Sequence, residues 1–257
     1  MTEIRLAVES RGEAGCVATV TVDNPAKLNI LDTTGIGSLE RTLNGLAADE
    51  ALRVVVLRGA GELAFIGGAD IGAMAGLDPE SARSFITGLH RACDAIRRLP
   101  VPVIARIEGY ALGAGLEIAA SCDLRIAVDT ARFGMPEVNV GIPSVIEAAL
   151  LPRLVGWGRA RWLLYTGDII DAARAERWGL VERVVGSAAL DAVVESCVAA
   201  ILAAGPRAIR LQKALIRDWE DRSLGAAIER GIDAFADAYR TSEPRDRMAA
   251  FLAKRVR

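Results

Sequence analysis

Histidine is almost absent from this chain, lysine is scarce, and cysteine occurs without paired spacing. Among 257 residues there is one histidine, His90, and only three lysines, Lys27, Lys213 and Lys254. Cys16, Cys93, Cys122 and Cys197 are widely scattered and form no C-x-x-C pair. One histidine and no clustered thiols argue against a zinc site. The cysteines read instead as buried thiols in a reducing compartment. No block of like charge stands out, and 31 Lys+Arg against 33 Asp+Glu leave a net charge of -2. That balance gives no footprint for nucleic acid or an anionic membrane surface. Apolar runs fall far short of the roughly 18 residues a spanning helix needs. The first residues, Met1-Thr2-Glu3-Ile4-Arg5, lack the apolar centre of a signal peptide. The expected location is cytoplasmic.

What is present is a large apolar fraction, 52% of residues, with a mean hydropathy of +0.28. This suffices for one large core, with or without an appendage. Val17 to Val22 is a β-branched run stopped by the turn signal Asp23-Asn24-Pro25. Residues 33–48 carry helical spacing through Ile36, Leu39, Leu43 and Leu46. Val54-Val55-Val56-Leu57-Arg58-Gly59 reads as a strand apolar on both faces, and residues 79–98 read as a helix ending before Pro100. The cycle then repeats: a strand at Val103–Ile107, a glycine-rich turn, a short helix at Leu116–Ser121, and a strand at Leu124–Val128. Such alternation predicts an α/β layered fold. Beyond about residue 144 strand signals nearly vanish. Helices are predicted over 188–204, 206–220, 222–240 and 243–255, giving a core over residues 1–195 and a helical region over 196–257.

Two glycine-rich turns each follow a buried strand, Phe65-Ile66-Gly67-Gly68-Ala69-Asp70 and Gly109-Tyr110-Ala111-Leu112-Gly113-Ala114-Gly115. Glycine allows close ligand approach and otherwise costly φ angles. The second turn opens a helix, whose first N–H groups are free. Together the turns can offer two amides to an oxygen gaining negative charge, or they can be tight connections in a crowded fold. Neither is a phosphate-binding loop, because G-x-x-x-x-G-K-[ST] is absent.

Two glutamates stand in unusual surroundings. Glu117 lies in Leu116-Glu117-Ile118-Ala119-Ala120, where a carboxylate must be paired or its pKa rises. A raised pKa suits a general acid near neutral pH; an acidic residue also stabilises a helix N-terminus. Glu137 follows Pro136 in Phe133-Gly134-Met135-Pro136-Glu137-Val138, as either a surface turn residue or a second reacting carboxylate.

The motifs in sequence order supply a resemblance. Asn24-Pro25-Ala26-Lys27-Leu28-Asn29-Ile30-Leu31 is similar to the N-P-x-x-x-N-A-L stretch of the enoyl-CoA hydratase/isomerase (crotonase) superfamily. Phe65 to Ile71 resembles its F-x-A-G-A-D-[IL] loop, and Gly109 to Asp123 resembles G-x-x-x-G-G-G-x-E-L-A-x-x-C-D. Phe133 to Glu137 resembles F-G-x-P-E, and Leu163 to Val181 resembles the L-x-x-T-G stretch with its closing G-L-V. The resemblance implies a spiral of ββα turns with a C-terminal helical trimerisation region, as a homotrimer or hexamer. It implies oxyanion-hole amides on Ala69 and Ala114, and catalytic carboxylates on Glu117 and Glu137. In a hydratase these two glutamates hold and activate water for attack at C3 of an enoyl-CoA, and Glu137 gives the proton to C2. For the CoA moiety it implies contacts near Ala26 and Lys27, along Gly67, Gly68, Asp70 and Ile71, and from Lys254 beside Arg255 across a subunit interface. Lys254 and Arg255 are equally readable as an exposed helix end. No metal or redox cofactor is implied, coenzyme A being part of the substrate. The alternatives are an enoyl-CoA isomerase, another enolate reaction of the superfamily on a specialised acyl group, or a non-catalytic CoA- or RNA-binding homologue.

Three departures from the family pattern matter. Ala114 replaces the middle glycine of G-G-G, and Gly72 replaces a lysine common after A-D-I. Ser144, Val145, Ile146 and Glu147 replace a glycine, an alanine and two glycines. Bulkier side chains there should reshape the pocket near the acyl group. Ser144-x-x-Glu147 also fits a helix capping box, which would account for Glu147 more simply than a third active-site carboxylate does. His90 has no assigned role, and Asp70 has the further reading of a residue that braces its own loop.

Overall fold

The run Val54–Leu57 is apolar on both faces because its strand lies in the middle of a sheet with no solvent side. In the computed structural model, which describes residues 1–255, that strand is β3 (Leu52–Gly59). It is preceded by β1 (Glu3–Ser10), β2 (Cys16–Asp23) and helix α1 (Thr33–Leu46). Next come β4 (Ala64–Ile66), α2 (Ile71–Met74) and α3 (Pro79–Arg98), followed by β5 (Val103–Ile107), β6 (Tyr110–Leu112) and α4 (Ala114–Ser121). The chain goes on through β7 (Leu124–Val128), β8 (Arg132–Gly134) and two 3-10 turns, Pro136–Val140 and Ile146–Leu150. After α5 (Leu151–Val155) and α6 (Trp157–Thr166) come β9 (Ile169–Asp171), α7 (Ala172–Trp178) and β10 (Arg183–Val185). Helices α8 (Ser187–Ala203), α9 (Pro206–Asp221), α10 (Leu224–Ala238) and α11 (Glu243–Arg255) complete it.

The strands form a six-stranded sheet in the order β1-β2-β3-β5-β7-β10 and a four-stranded sheet in the order β4-β6-β8-β9. Pairing is parallel except for β1 on β2 and β9 on β8. The pairs β3/β4, β5/β6 and β7/β8 each place their first strand in the large sheet and their second in the small one. Helical segments follow each pair, so the chain winds as a spiral of ββα turns, as the resemblance implies. Loops after β4, β6 and β8 therefore stack at one edge of the small sheet.

The sequence pattern shows the long strands and misses the short ones. β4, β6, β8, β9 and β10 have three residues each, too few to display a two-residue period. Two of these, β9 and β10, lie in the stretch where no strand is expected. Helix α8 spans the expected 195/196 boundary, and it buries Leu190, Val194 and Val198 against β3, β5 and β7. Helices α10 and α11 expose Leu224, Ile228, Ile232, Phe235, Met248 and Leu252. No single helix among the described residues is long and apolar enough to cross a membrane.

Candidate active site

The first loop is fixed by the segment before it. Leu28 and Asn29 are both left-handed, each with φ of 55°, and Asn29 is fully buried. Its side-chain amide donates to the carbonyls of Ala60 (2.9 Å) and Ala64 (2.7 Å) and accepts from the Asn24 N–H (2.8 Å). An asparagine suits both demands, since it tolerates the left-handed region and carries donor and acceptor together. The loop after β4 then pairs with this segment. Gly67 N–H donates to Leu28 O, Leu31 N–H to Gly68 O, and Asp70 N–H to Leu31 O. This pattern turns the Ala69 N–H away from Leu31, and it has no hydrogen-bond partner among the described residues.

The second loop meets the first through glycine. A Cβ on Gly115 would lie 2.0 Å from the carbonyl oxygen of Ile66, so only glycine lets α4 approach β4 closely enough to bring the two loops together. Gly113, with φ of 52° and ψ of −121°, turns the chain into α4. Ala114 is the first helical residue and lies outside the left-handed region. Its N–H has no hydrogen-bond partner among the described residues, because the residues before it are not helical and cannot supply a helix carbonyl.

Glu117 stands one turn into α4, where every residue is buried, and it is 4% exposed itself. Its Oε1 accepts from the Ala148 N–H at 3.2 Å. Burial pushes its pKa up to about 8, against the lowering effect of that N–H, and the nearby Glu137 and Glu147 raise it further. Glu137 lies on the Pro136–Val140 turn and is only partly buried. Its Oε2 accepts from the Ser144 hydroxyl at 2.8 Å. A Cβ on Gly113 would come within 2.4 Å of its Oε1, so the glycine also leaves room for this carboxylate.

Ala69, Ala114, Glu117 and Glu137 all line one cavity of about 780 Å³. Gly67, Gly68 and Ile71 line it too, and Met74, Leu77, Phe85, Ile86 and Leu89 of the α2–α3 segment give it an apolar side. Asp70 takes a different part. It caps α2, its Oδ1 accepting from Gly72 N–H (2.9 Å) and Ala73 N–H (3.4 Å). Ala26 and Lys27 are exposed on the Pro25–Lys27 turn, which leads into Leu28 beside Gly67. The side chain of Lys254 lies outside the described residues. Among the described residues, no group of three His, Cys, Asp or Glu is placed to hold a metal ion.

The Ser144–Ala148 segment differs from the capping box expected of it. Val145, not Ser144, precedes the turn Ile146–Leu150, and no side chain caps it. Ser144 is drawn instead to the Glu137 carboxylate, a stronger acceptor than a backbone partner. Glu147 neither caps a helix nor lines the cavity. It is 4% exposed and pairs through Oε1 with His90 Nδ1 at 2.9 Å. Neither partnership is readable from spacing, since seven and 57 residues separate the partners. The one signal was the bulky run where the family pattern has small residues.

Comparisons with known proteins give the family. Residues 12–257 match the family model described as enoyl-CoA hydratase/isomerase. The chain belongs to the enoyl-CoA hydratase/isomerase family. It is 36% identical over 240 residues to a crotonyl-CoA hydratase of Syntrophomonas wolfei, covering 93% of this chain and 92% of that protein. It is likewise 36% identical to a short-chain-enoyl-CoA hydratase of Clostridium acetobutylicum, covering 94% and 93%. Among solved structures, an enoyl-CoA hydratase of Mycobacterium smegmatis superimposes with a TM-score of 0.92 at 34% identity, covering 97% of this chain and 96% of that one.

Proposed function

We propose that this family member hydrates the 2,3 double bond of an enoyl-CoA thioester. The observation that carries the reading is the convergence of Glu117 and Glu137 on one cavity with the two unengaged N–H groups of Ala69 and Ala114. The hydratase relatives support the choice of substrate class. The thioester oxygen sits between the two amides, which stabilise the negative charge that develops as water adds at C3. Losing one such donor typically costs about 10²–10³ in rate.

The two carboxylates divide the proton work. Burial puts the proton on Glu117, raised to about 8, while Glu137 is an acceptor towards Ser144. The family resemblance gives the C2 proton to Glu137. As the water oxygen bonds to C3, the water gives a proton to one carboxylate while the other delivers a proton to C2; the burial of Glu117 favours it as the donor to C2. The apolar α2–α3 wall takes the acyl chain, and the Gly67–Ile71 loop, with Ala26 and Lys27 beside it, takes the pantetheine and nucleotide end. A trimer or hexamer is built through the C-terminal helices, whose exposed apolar side chains support such assembly.

The test is hydration of crotonyl-CoA and longer 2-enoyl-CoA thioesters, followed by loss of conjugated-enone absorbance. Formation of 3-hydroxyacyl-CoA is expected. Turnover of 3-enoyl-CoA without hydration of any 2-enoyl-CoA would establish the isomerase reading instead. Ser144 and Val145 line the cavity where small residues were expected, which favours a specialised acyl group within the hydratase reading.

A further inference from the structure

The pair His90–Glu147 is unused by the reaction, and it sits directly behind the site. Glu147 is 4% exposed, and its Oε2 is buried without a hydrogen-bond partner among the described residues. A carboxylate so placed is costly unless its remaining contact is firm. That contact is Nδ1 of His90, on α3, whose side chain is 49% exposed. Immediately before Glu147, Ile146 has φ of 40°. A β-branched residue is strained in that region, and strain persists only where surrounding contacts enforce it. Immediately after Glu147, the Ala148 N–H reaches Glu117 Oε1 at 3.2 Å while also bonding Val145 O. Three consecutive residues thus carry a strained backbone, a buried carboxylate with one partner, and the only backbone donor to the Glu117 side chain among the described residues.

We propose that His90 and Glu147 are positioning residues for Glu117: their pair clamps the strained Ile146 turn to α3 and so fixes the Ala148 N–H on the carboxylate. The proposal rests on the reading of Glu117 as a reacting group. Neither member of the pair lines the cavity, so they act on kcat and leave KM alone. The other charged and titratable groups around the pair are accounted for. From α3, Cys93 is wholly buried near both Glu147 and Glu117, which, after burial itself, push its thiol up. Arg97 feels Glu147 but is engaged by Glu220 of α9, and Asp94 pairs with Arg98. From α4, Glu117 itself faces Glu147. His90 is therefore the partner that holds Glu147 in place.

The experiment compares His90→Ala, His90→Asn and Ile146→Gly, alone and combined, with kcat followed across pH. His90→Ala is expected to lower kcat about tenfold, the worth of one hydrogen bond to a charged group, at unchanged KM. Because the Ala148 N–H favours the ionised form of Glu117, its displacement moves the alkaline limb of the kcat profile to higher pH. His90→Asn, whose amide nitrogen lies near the Nδ1 position, restores both. Ile146→Gly, which relieves the strain the pair opposes, restores them in the His90→Ala background. A wild-type kcat profile in His90→Ala overturns the proposal, as does a loss that neither Asn nor Gly repairs. Full activity in Glu117→Gln would instead sink the reading of the site itself, which keeps the two failures apart.

Discussion

Glu117 and Glu137 face the same cavity but are held by opposite means. Glu117 stands on a helix whose residues are all buried, and its Oε1 takes a backbone N–H from a neighbouring turn. Glu137 stands on a partly exposed 3-10 turn, and one of its oxygens takes a side-chain hydroxyl. Burial makes the first a proton holder near neutral pH; the second takes its hydrogen bond from the Ser144 hydroxyl at a partly exposed turn. Two chemically identical groups thus stand in different surroundings, which is the basis for proposing different tasks for them.

The largest effects come from erasing either side of this contrast. Glu117→Gln and Glu137→Gln should each lower kcat by roughly 10²–10⁴, the usual worth of a positioned acid or base, with KM for crotonyl-CoA nearly constant. Retention of full activity by either variant would remove that carboxylate from the mechanism. In the wild type, kcat should fall as pH rises through about 8, where Glu117 loses its proton.

Stability should separate the pair in the opposite direction. The folded pKa of Glu117, about 8, lies above its unfolded value of roughly 4.3. Below the lower value both states hold the proton, and no penalty exists. Between the two values the folded chain keeps a proton that the unfolded chain releases. Stability therefore falls across this window as pH rises, by about 1.4 kcal/mol per pH unit. Above about pH 8 the full cost remains. Glu117→Gln is accordingly expected to gain Tm over wild type between pH 5 and 8 and to match it near pH 4. Equal melting curves at pH 8 would show that Glu117 is not desolvated in solution.

A third test strikes one glutamate through the backbone. Gly113→Ala places a Cβ in a left-handed conformation 2.4 Å from Glu137 Oε1. The displaced carboxylate should cost roughly 10²-fold in kcat, as a misplacement of about 1 Å can. Glu117, on the far side of Gly113 along α4, should keep its pH limb near 8. Movement of that limb would mean that the variant disturbs the whole helix start.

What the sequence displays of this arrangement follows from chemistry that repeats. The glycine turns, Asn29 and both glutamates lie in motifs because each meets a local backbone demand or a reaction demand with one residue type. Val54–Leu57 is legible because a strand buried on both faces is apolar throughout. The three-residue strands of the small sheet are not legible, since their pairing comes from stacking of the spiral rather than from their own pattern. Ser144 and Glu147 read as a capping box because S-x-x-E is a local signal. Their real partners, Glu137 and His90, arrive by tertiary folding. Local propensity yielded there to the stronger acceptor and to the pairing of a buried carboxylate.

The smallest effect tests whether Ser144 belongs to Glu137 alone. Ser144→Ala removes the hydroxyl from Oε2 and should lower kcat by about tenfold or less, within the range for a hydrogen bond to a charged group. The decisive form is a double-mutant cycle. Added to Glu137→Gln, the Ser144→Ala change should cost almost nothing further, because the carboxylate it served is gone. Added to Glu117→Gln, it should cost nearly its full amount, since its own contact is with the other glutamate. Equal coupling to both would mean that the two carboxylates act as one hydrogen-bonded unit, and the contrast between their supports would then describe how the site is built rather than how it divides its work.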